Sequence, residues 1–227
     1  GGLRYTPWEG TTFRAAYTRS LGGLFFDNSV RLEPTQIAGF NQAFRSIIPE
    51  SVVGSVAGSR FTTYGVGVEQ RIRTRTYLTL EAELLESEAS RTFGVFTFQT
   101  PPPGVPVLVT LSPSGTTEQL RFQERALTFT VNQLLGDEWI VGGRYRLSDA
   151  HLKSEFVGLP GVTGVPNRNL EATLHQANVF VIYHHRCGFF ARPEALWVSQ
   201  SNRGIGAMPG DDFWQLQALA GYRFARR

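Results

Sequence analysis

The chain has 227 residues, 41% of them hydrophobic, and its 22 basic and 19 acidic residues leave a net charge of +3. Its longest apolar run, Val179 to Tyr183, is five residues, far short of the roughly twenty a spanning helix needs, and Gly1-Gly2-Leu3-Arg4-Tyr5 has neither the basic start nor the apolar middle of a signal peptide. A single cysteine, Cys187, excludes an internal disulfide, no cluster of Cys and His has zinc spacing, and the basic residues, all arginine except Lys153, are dispersed rather than gathered in the tracts that nucleic acid selects.

Gly2-Leu3-Arg4-Tyr5-Thr6-Pro7 reads as the last half of a strand that runs into a turn at Pro7-Trp8-Glu9-Gly10. A strand over 11–20 follows, with Phe13, Ala15 and Tyr17 against Thr12, Arg14 and Thr18. The long connection 21–59 contains Ile37, Phe40 and Phe44 at helical spacing, followed by Ile47 and Ile48, which predicts a short amphipathic helix within 33–48. Period two returns in Thr62-Tyr64-Val66-Val68 against Thr63-Gly65-Gly67-Glu69. After Arg73-Thr74-Arg75 it continues in Leu78-Leu80-Ala82-Leu84 against Thr79-Glu81-Glu83.

Beyond the Pro101-Pro102-Pro103-Gly104 loop, 121–133 reads as a strand with Leu127, Phe129 and Val131 on one face. The turn Leu135-Gly136-Asp137-Glu138 leads into Trp139-Val141-Gly143-Tyr145-Leu147 against Arg144 and Arg146. A loop around Leu159-Pro160-Gly161 precedes strand 173–185, where Ala177, Val179, Val181 and Tyr183 oppose Gln176, Asn178 and His184, with the apolar Phe180 and Ile182 on the polar side. After Arg186-Cys187-Gly188, strand 189–201 includes Pro193, which removes a ladder donor and predicts a bulge. Asn202–Gly210 connects to the last strand, where Trp214, Leu216, Ala218, Ala220, Tyr222 and Phe224 alternate with Gln215, Gln217, Leu219, Gly221 and Arg223.

Short and long connections take turns along the whole chain, as they do in an outer-membrane barrel with short periplasmic turns and long extracellular loops. The expected fold is therefore all-β: an antiparallel transmembrane β-barrel with eight to nine strands in this chain, a single barrel domain over 1–227 or the C-terminal segment of a larger barrel. A first strand that descends implies an odd number of strands before it; an eight-stranded barrel with a short N-terminal extension is the alternative. In hydrocarbon every backbone polar group must be paired within the protein, so only helices and closed barrels span it. The lumen is then expected to be lined by Arg14, Glu69, Arg71, Glu81, Glu83, Arg144, Arg146, Arg192 and Glu194, and the membrane interfaces to be marked by Tyr17, Tyr77, Trp139, Tyr145, Trp197, Trp214, Tyr222 and Phe224. A soluble barrel or sandwich is the competing reading of the same alternation.

Leu216-Gln217-Ala218-Leu219-Ala220-Gly221-Tyr222-Arg223-Phe224 resembles the C-terminal signal by which the barrel-assembly machinery recognises outer-membrane barrels, although Ala225-Arg226-Arg227 follow the Phe. The hairpin Leu3 to Tyr17, with Arg31-Leu32-Glu33-Pro34-Thr35-Gln36 after it, is similar to hairpins in the C-terminal half of TonB-dependent receptor barrels and related large barrels. That resemblance implies outer-membrane lipid and the assembly machinery as partners, and it leaves room for a periplasmic or helical-repeat domain upstream. The plug and TonB-contacting segment of those receptors are not in this sequence.

For catalysis, His175, His184, His185 and Ser199 fall on adjacent strands, but no motif supplies the hydrogen-bonded orienting group that a Ser–His nucleophile needs. Glu81, Glu83 and Glu69 form an acidic group that Arg71, Arg144 and Arg146 explain as interior ion pairing. Asp211-Asp212 lacks the further oxygen ligands a cation needs. The expectation is a pore or transport/export channel in the bacterial outer membrane, not an enzyme, with no cofactor or metal. The alternatives are a closed structural or adhesion barrel, an outer-membrane lipase, and a soluble β-barrel binding protein.

Overall fold

The computed structural model describes residues 1–21, 36–37, 40–41, 60–99, 110–157 and 167–224. The strands are β1 (Gly2–Trp8), β2 (Thr11–Leu21), β3 (Gln36–Ile37), β4 (Phe40–Asn41), β5 (Arg60–Ile72), β6 (Thr76–Gln99), β7 (Thr110–Leu135), β8 (Trp139–Phe156), β9 (Arg168–His184), β10 (Phe189–Arg203) and β11 (Asp211–Tyr222). Nine of them form one antiparallel sheet in the order β1-β2-β5-β6-β7-β8-β9-β10-β11, and β3 and β4 pair separately. No helix occurs among the described residues. The helix expected within 33–48 gives way at 36–37 and 40–41 to the two-residue ladder β3–β4, and the rest of that segment lies outside the described residues, as does the Pro101-Pro102-Pro103 loop.

Within the nine-stranded sheet each strand pairs with the one that follows it, β2 with β5 across the segment that holds β3 and β4, and the short turns share one rim. Arg75, at φ 61°, donates from its guanidinium to Gly136 O (3.1 Å) and Asp137 Oδ1 (3.2 Å) of the adjacent turn. His184 N donates to Glu138 O (2.8 Å), and Arg71 N to Gly10 O (2.6 Å). Gly188 closes the last turn at φ 102°, where a Cβ would sit 2.3 Å from Arg223 O, so only glycine fits that backbone. The strand ends that flank the long connections are at the opposite rim.

Two departures from the sequence expectations have local causes. Pro193 causes no bulge: the β9–β10 ladder omits residues 192 and 193 and resumes in the same register, Ala191 opposite Tyr183 and Glu194 opposite Phe180. An irregularity occurs instead in β1, between Tyr5 and Trp8, beside Pro7. Phe180, apolar on a polar face, lies over Gly142 of β8, where an added Cβ would stand 2.2 Å from its Cζ. The ring fills the volume that glycine leaves, and Arg192 stacks on it at 5.1 Å. Gly142→Ala is expected to cost about 1–3 kcal/mol by overpacking, read from the denaturant midpoint, and Phe180→Ala is expected to recover most of that loss; an unchanged midpoint in the single variant would contradict this packing.

Candidate functional site

Register decides which side chains share a face. On the face that carries Arg14, one row of register partners crosses all nine strands: Arg4, Arg14, Gly67, Glu81, Thr128, Arg146, Gln176, Val198 and Phe213. The rows beside it bring Glu69 and Arg144, then Glu83, then Arg71 and Glu194 to the same face, and Arg192 follows. All nine charged residues expected to share a surface therefore do so.

Their pairing is specific. Arg14, only 8% exposed, bridges two strands: its Nε meets Glu69 Oε1 at 3.0 Å and its terminal nitrogen pairs with Glu81 Oε1. Arg146 reaches Glu124 Oε1 at 3.4 Å and donates from Nε to Ser148 Oγ at 3.0 Å. Arg192 pairs with Glu194 at 2.9 Å, and the same carboxylate accepts from Asn178 Nδ2 at 2.5 Å. Arg144 and Glu83 have no ion-pair partner within 4 Å among the described residues. Glu124, buried on this face, escaped the sequence reading, which took the alternation of this strand from Leu127, Phe129 and Val131 against Thr128, Thr130 and Asn132 and singled out no charge on it.

The opposite face, which carries Phe13, bears the apolar alternation. Its central row is Tyr5, Phe13, Val68, Leu80, Phe129, Tyr145, Ala177, Trp197 and Trp214, without a charge. Tyr17 packs on Tyr64 (5.2 Å between ring centroids), Trp197 on Trp214 (6.4 Å) and Trp139 on Tyr183 (4.3 Å), so aromatic pairs stand near both ends of the apolar band. Tyr222 also lies on this face, against Phe224 (5.0 Å). Tyr77 does not: it shares strand parity with Glu81 and lies on the charged face, with the Arg71 guanidinium 5.8 Å from its ring centre. Proximity to a strand end had suggested an interface role for Tyr77, and parity overrides it.

Further along the strands the two faces exchange character. On β7 the Phe13 face passes from Val131, Phe129 and Leu127 to Arg125, Gln123 and Arg121, while the Arg14 face passes from Thr128 to Phe122 and Leu120. β8 changes likewise, from Tyr145 and Leu147 to Asp149, His151 and Lys153, with Ala150 and Leu152 behind them. Ala89, Leu120, Phe122, Ala150, Leu152, Leu170 and Ala172 form the buried apolar cluster on that side. Above the crossover the Phe13 face is salt-bridged as a surface exposed to water is: Lys153 pairs with Glu155 at 2.5 Å, which holds the Glu155 carboxyl below its usual range by hydrogen bond and charge.

The borders of the apolar band also drift. Its long-loop end falls at Tyr17, Tyr64 and Leu84 in one row, at Leu127 and Leu147 two residues further along, and at Ala177, Trp197 and Trp214 two residues beyond that. At the other end it moves from Phe13, in the row of Trp214, to Tyr222. Strands tilted about 40° across a flat slab shift its borders by roughly one residue per strand, in one direction at both ends. The band on β8, Trp139 to Leu147, fits the ~9–11 residues that a tilted strand needs to cross a bilayer.

The histidines and serine considered for catalysis do not assemble a nucleophile. His175 and Ser199 face each other across β9 and β10, but His175 Nδ1 bonds Tyr145 OH (2.7 Å), and the neighbouring Asp212 accepts from Trp197 Nε1 (2.8 Å). No Ser199–His175 hydrogen bond occurs among the described residues. His184 lies by Phe190 and His185 contacts Cys187 Sγ (2.9 Å), at the other end of the strands. No group of three or more potential metal ligands occurs among the described residues. No protein-family model matches the chain, and no curated protein matches it.

Proposed function

We propose that this sheet is part of a β-barrel in a bacterial outer membrane and forms a pore or transport/export channel whose lumen is the Arg14 face. The observation that carries the reading is the exchange of face polarity at a drifting border. A sheet in water on one side and a core on the other keeps one polarity per face along its length; a sheet that leaves lipid for water must reverse it. Short turns then lie at the periplasm, and the long connections, with the outer parts of β6 to β9, face the exterior. The terminal alternation ending in Phe224 suits recognition by the barrel-assembly machinery, and the similarity to TonB-dependent receptors and related large barrels agrees with substrate passage through an assembly of more than these strands.

The lumen would combine Arg4, Arg14, Arg71, Arg144, Arg146 and Arg192 with Glu69, Glu81, Glu83, Glu124 and Glu194, so its selectivity is set by which charges stay unpaired. Arg144→Glu replaces an unpaired cation on that surface. In planar bilayers the protein is expected to conduct, and Arg144→Glu to shift the reversal potential towards cation preference. The dense pairing around Arg14 and the rings of Phe180 and Phe190 on the same face favour a second reading, a closed structural barrel, and folded, inserted protein without current would decide for it.

A further inference from the structure

Above the crossover the Phe13 face carries two cations in direct opposition. Arg121 on β7 and Lys153 on β8 are register partners, both exposed, and like charges so placed cost a sheet stability. The acids around them leave Arg121 unserved. Glu88, its partner on β6, pairs with Arg60 (3.9 Å), Glu86 accepts from Gln123 Nε2 (3.0 Å), and Glu155 holds Lys153 (2.5 Å). Arg121 has no ion-pair partner within 4 Å among the described residues. Arg4 and Arg14 also oppose each other, but there Glu69 and Glu81 take up the Arg14 guanidinium.

The pair stands in an open cleft of about 350 Å³, lined by Arg60, Glu86, Glu88, Arg121, His151 and Lys153 among others. Below the cleft the same face is the apolar band, which ends at Leu84 on β6, Leu127 on β7 and Leu147 on β8. On strands tilted about 40°, Arg125, the first charged residue beyond Leu127, is roughly 5 Å above that border. Arg121 and Lys153, six residues beyond Leu127 and Leu147, are roughly 15 Å above it. The headgroup layer of a phospholipid leaflet is only about 5–8 Å deep. An anion on a phospholipid therefore lies at the level of Arg125, whereas one on a sugar headgroup that rises above the acyl chains reaches Arg121 and Lys153.

We infer that this cleft binds the phosphate group of a phosphorylated glycolipid of the outer leaflet, between Arg121 and Lys153, with the acyl chains against the apolar band below. A phosphate ester carries about −1.5 to −2 charge and several acceptor oxygens, so one group accepts from the guanidinium fork and the ammonium together and removes their mutual repulsion. Glu86 and Glu88 on the facing wall suit sugar hydroxyls, which donate to carboxylates. The inference rests on the membrane reading above. It is independent of whether the barrel conducts, because the cleft lies on the face opposite the proposed lumen.

Equilibrium binding to the full chain in neutral detergent tests it with four probes: a diphosphorylated acylated disaccharide, the same lipid without its phosphates, phosphatidylglycerol and inorganic phosphate. The diphosphorylated lipid is expected to bind at least about tenfold more tightly than each of the others. Arg121→Gln combined with Lys153→Gln should abolish that margin. Arg19→Gln combined with Arg203→Gln removes the same charge from the same face outside the cleft and should leave the margin intact. In vesicles of neutral lipid the Arg121/Lys153 double variant should unfold no earlier than the parent, which shows that it folds. A margin that survives the double variant, or that the control loses equally, overturns the site. Equal binding of phosphatidylglycerol overturns the glycolipid as its ligand, and equal binding of inorganic phosphate overturns a lipid source altogether. Release of the protein from membranes by alkaline carbonate overturns the membrane reading, whereas absence of selective binding in membrane-integral protein overturns the cleft alone.

Discussion

Arg14→Leu is expected to destabilise the folded sheet by about 3–5 kcal/mol, the cost of removing one partner of a buried ion pair and leaving the other charge uncompensated. Here two carboxylates lose their shared cation: Glu69 on β5 and Glu81 on β6 hold the guanidinium from two strands, and Arg14 itself is 8% exposed. With leucine the two acids, on neighbouring strands, would repel without the cation between them; Gly67 stands between Arg14 and Glu81 in their row. Arg14→Lys should fall between the two, because an ammonium keeps the charge but loses the planar fork that reaches both acids. Glu69→Gln should cost about 1 kcal/mol or less, since that carboxylate is 41% exposed and its pairing is screened. Denaturant titration of the protein in lipid vesicles separates the three, and an Arg14→Leu midpoint equal to that of Glu69→Gln would remove the bridge from the account of stability.

Leu80→Arg is the second large effect. Leu80 lies on the central apolar row, 43% exposed. An exposed position on a sheet in water tolerates such a change within about 0.5 kcal/mol. At the middle of a bilayer the same substitution costs about 2–4 kcal/mol, falling to about 0–1 towards the interfaces. Ser90→Arg, on the same face of β6 but beyond the polarity crossover, is expected to be neutral. The measured quantity is again the unfolding midpoint in vesicles, with the yield of membrane-inserted protein as a second readout. Equal, small effects at both positions would mean that no hydrocarbon meets this face.

These two substitutions probe opposite faces at nearly the same depth, and together they ask which solvent each face meets. Stability in this sheet does not come from a single dry centre. The buried apolar cluster around Leu120, Phe122 and Leu152 lies above the crossover, whereas the section below it carries ion pairs on one face and exposed apolar groups on the other. On the proposed membrane reading, lipid below and water above would account for both arrangements with one set of strands.

The sequence reading stops short of the observed strands on β7 and β9, where the alternation changes phase, and nearly matches them on β2 and β10. On β7 the apolar residues fall at odd positions from Val131 to Leu127 and at even positions from Ala126 to Leu120. The expected strand, 121–133, spans that change of phase but stops short of the ladder, which begins at Thr110. β9 shows the same shift, from Val179 and Ala177 to Leu174 and Ala172, and its start at Arg168 precedes the expected 173.

Period two and turn chemistry are local properties, and they were sufficient by themselves to determine an antiparallel all-β chain, the alternation of short and long connections, and the common face of Arg14, Glu69, Glu81 and their companions. Which of those charges meet was decided only by tertiary structure, because Arg14 and Glu81 are 67 residues apart and come together through the register of β2, β5 and β6. Register likewise kept Pro193 in an unshifted ladder and aligned the separate apolar runs into one drifting band. The physical reason is that a strand's own residues specify its two faces, while its neighbours' hydrogen bonds specify how far each face is slid against the next.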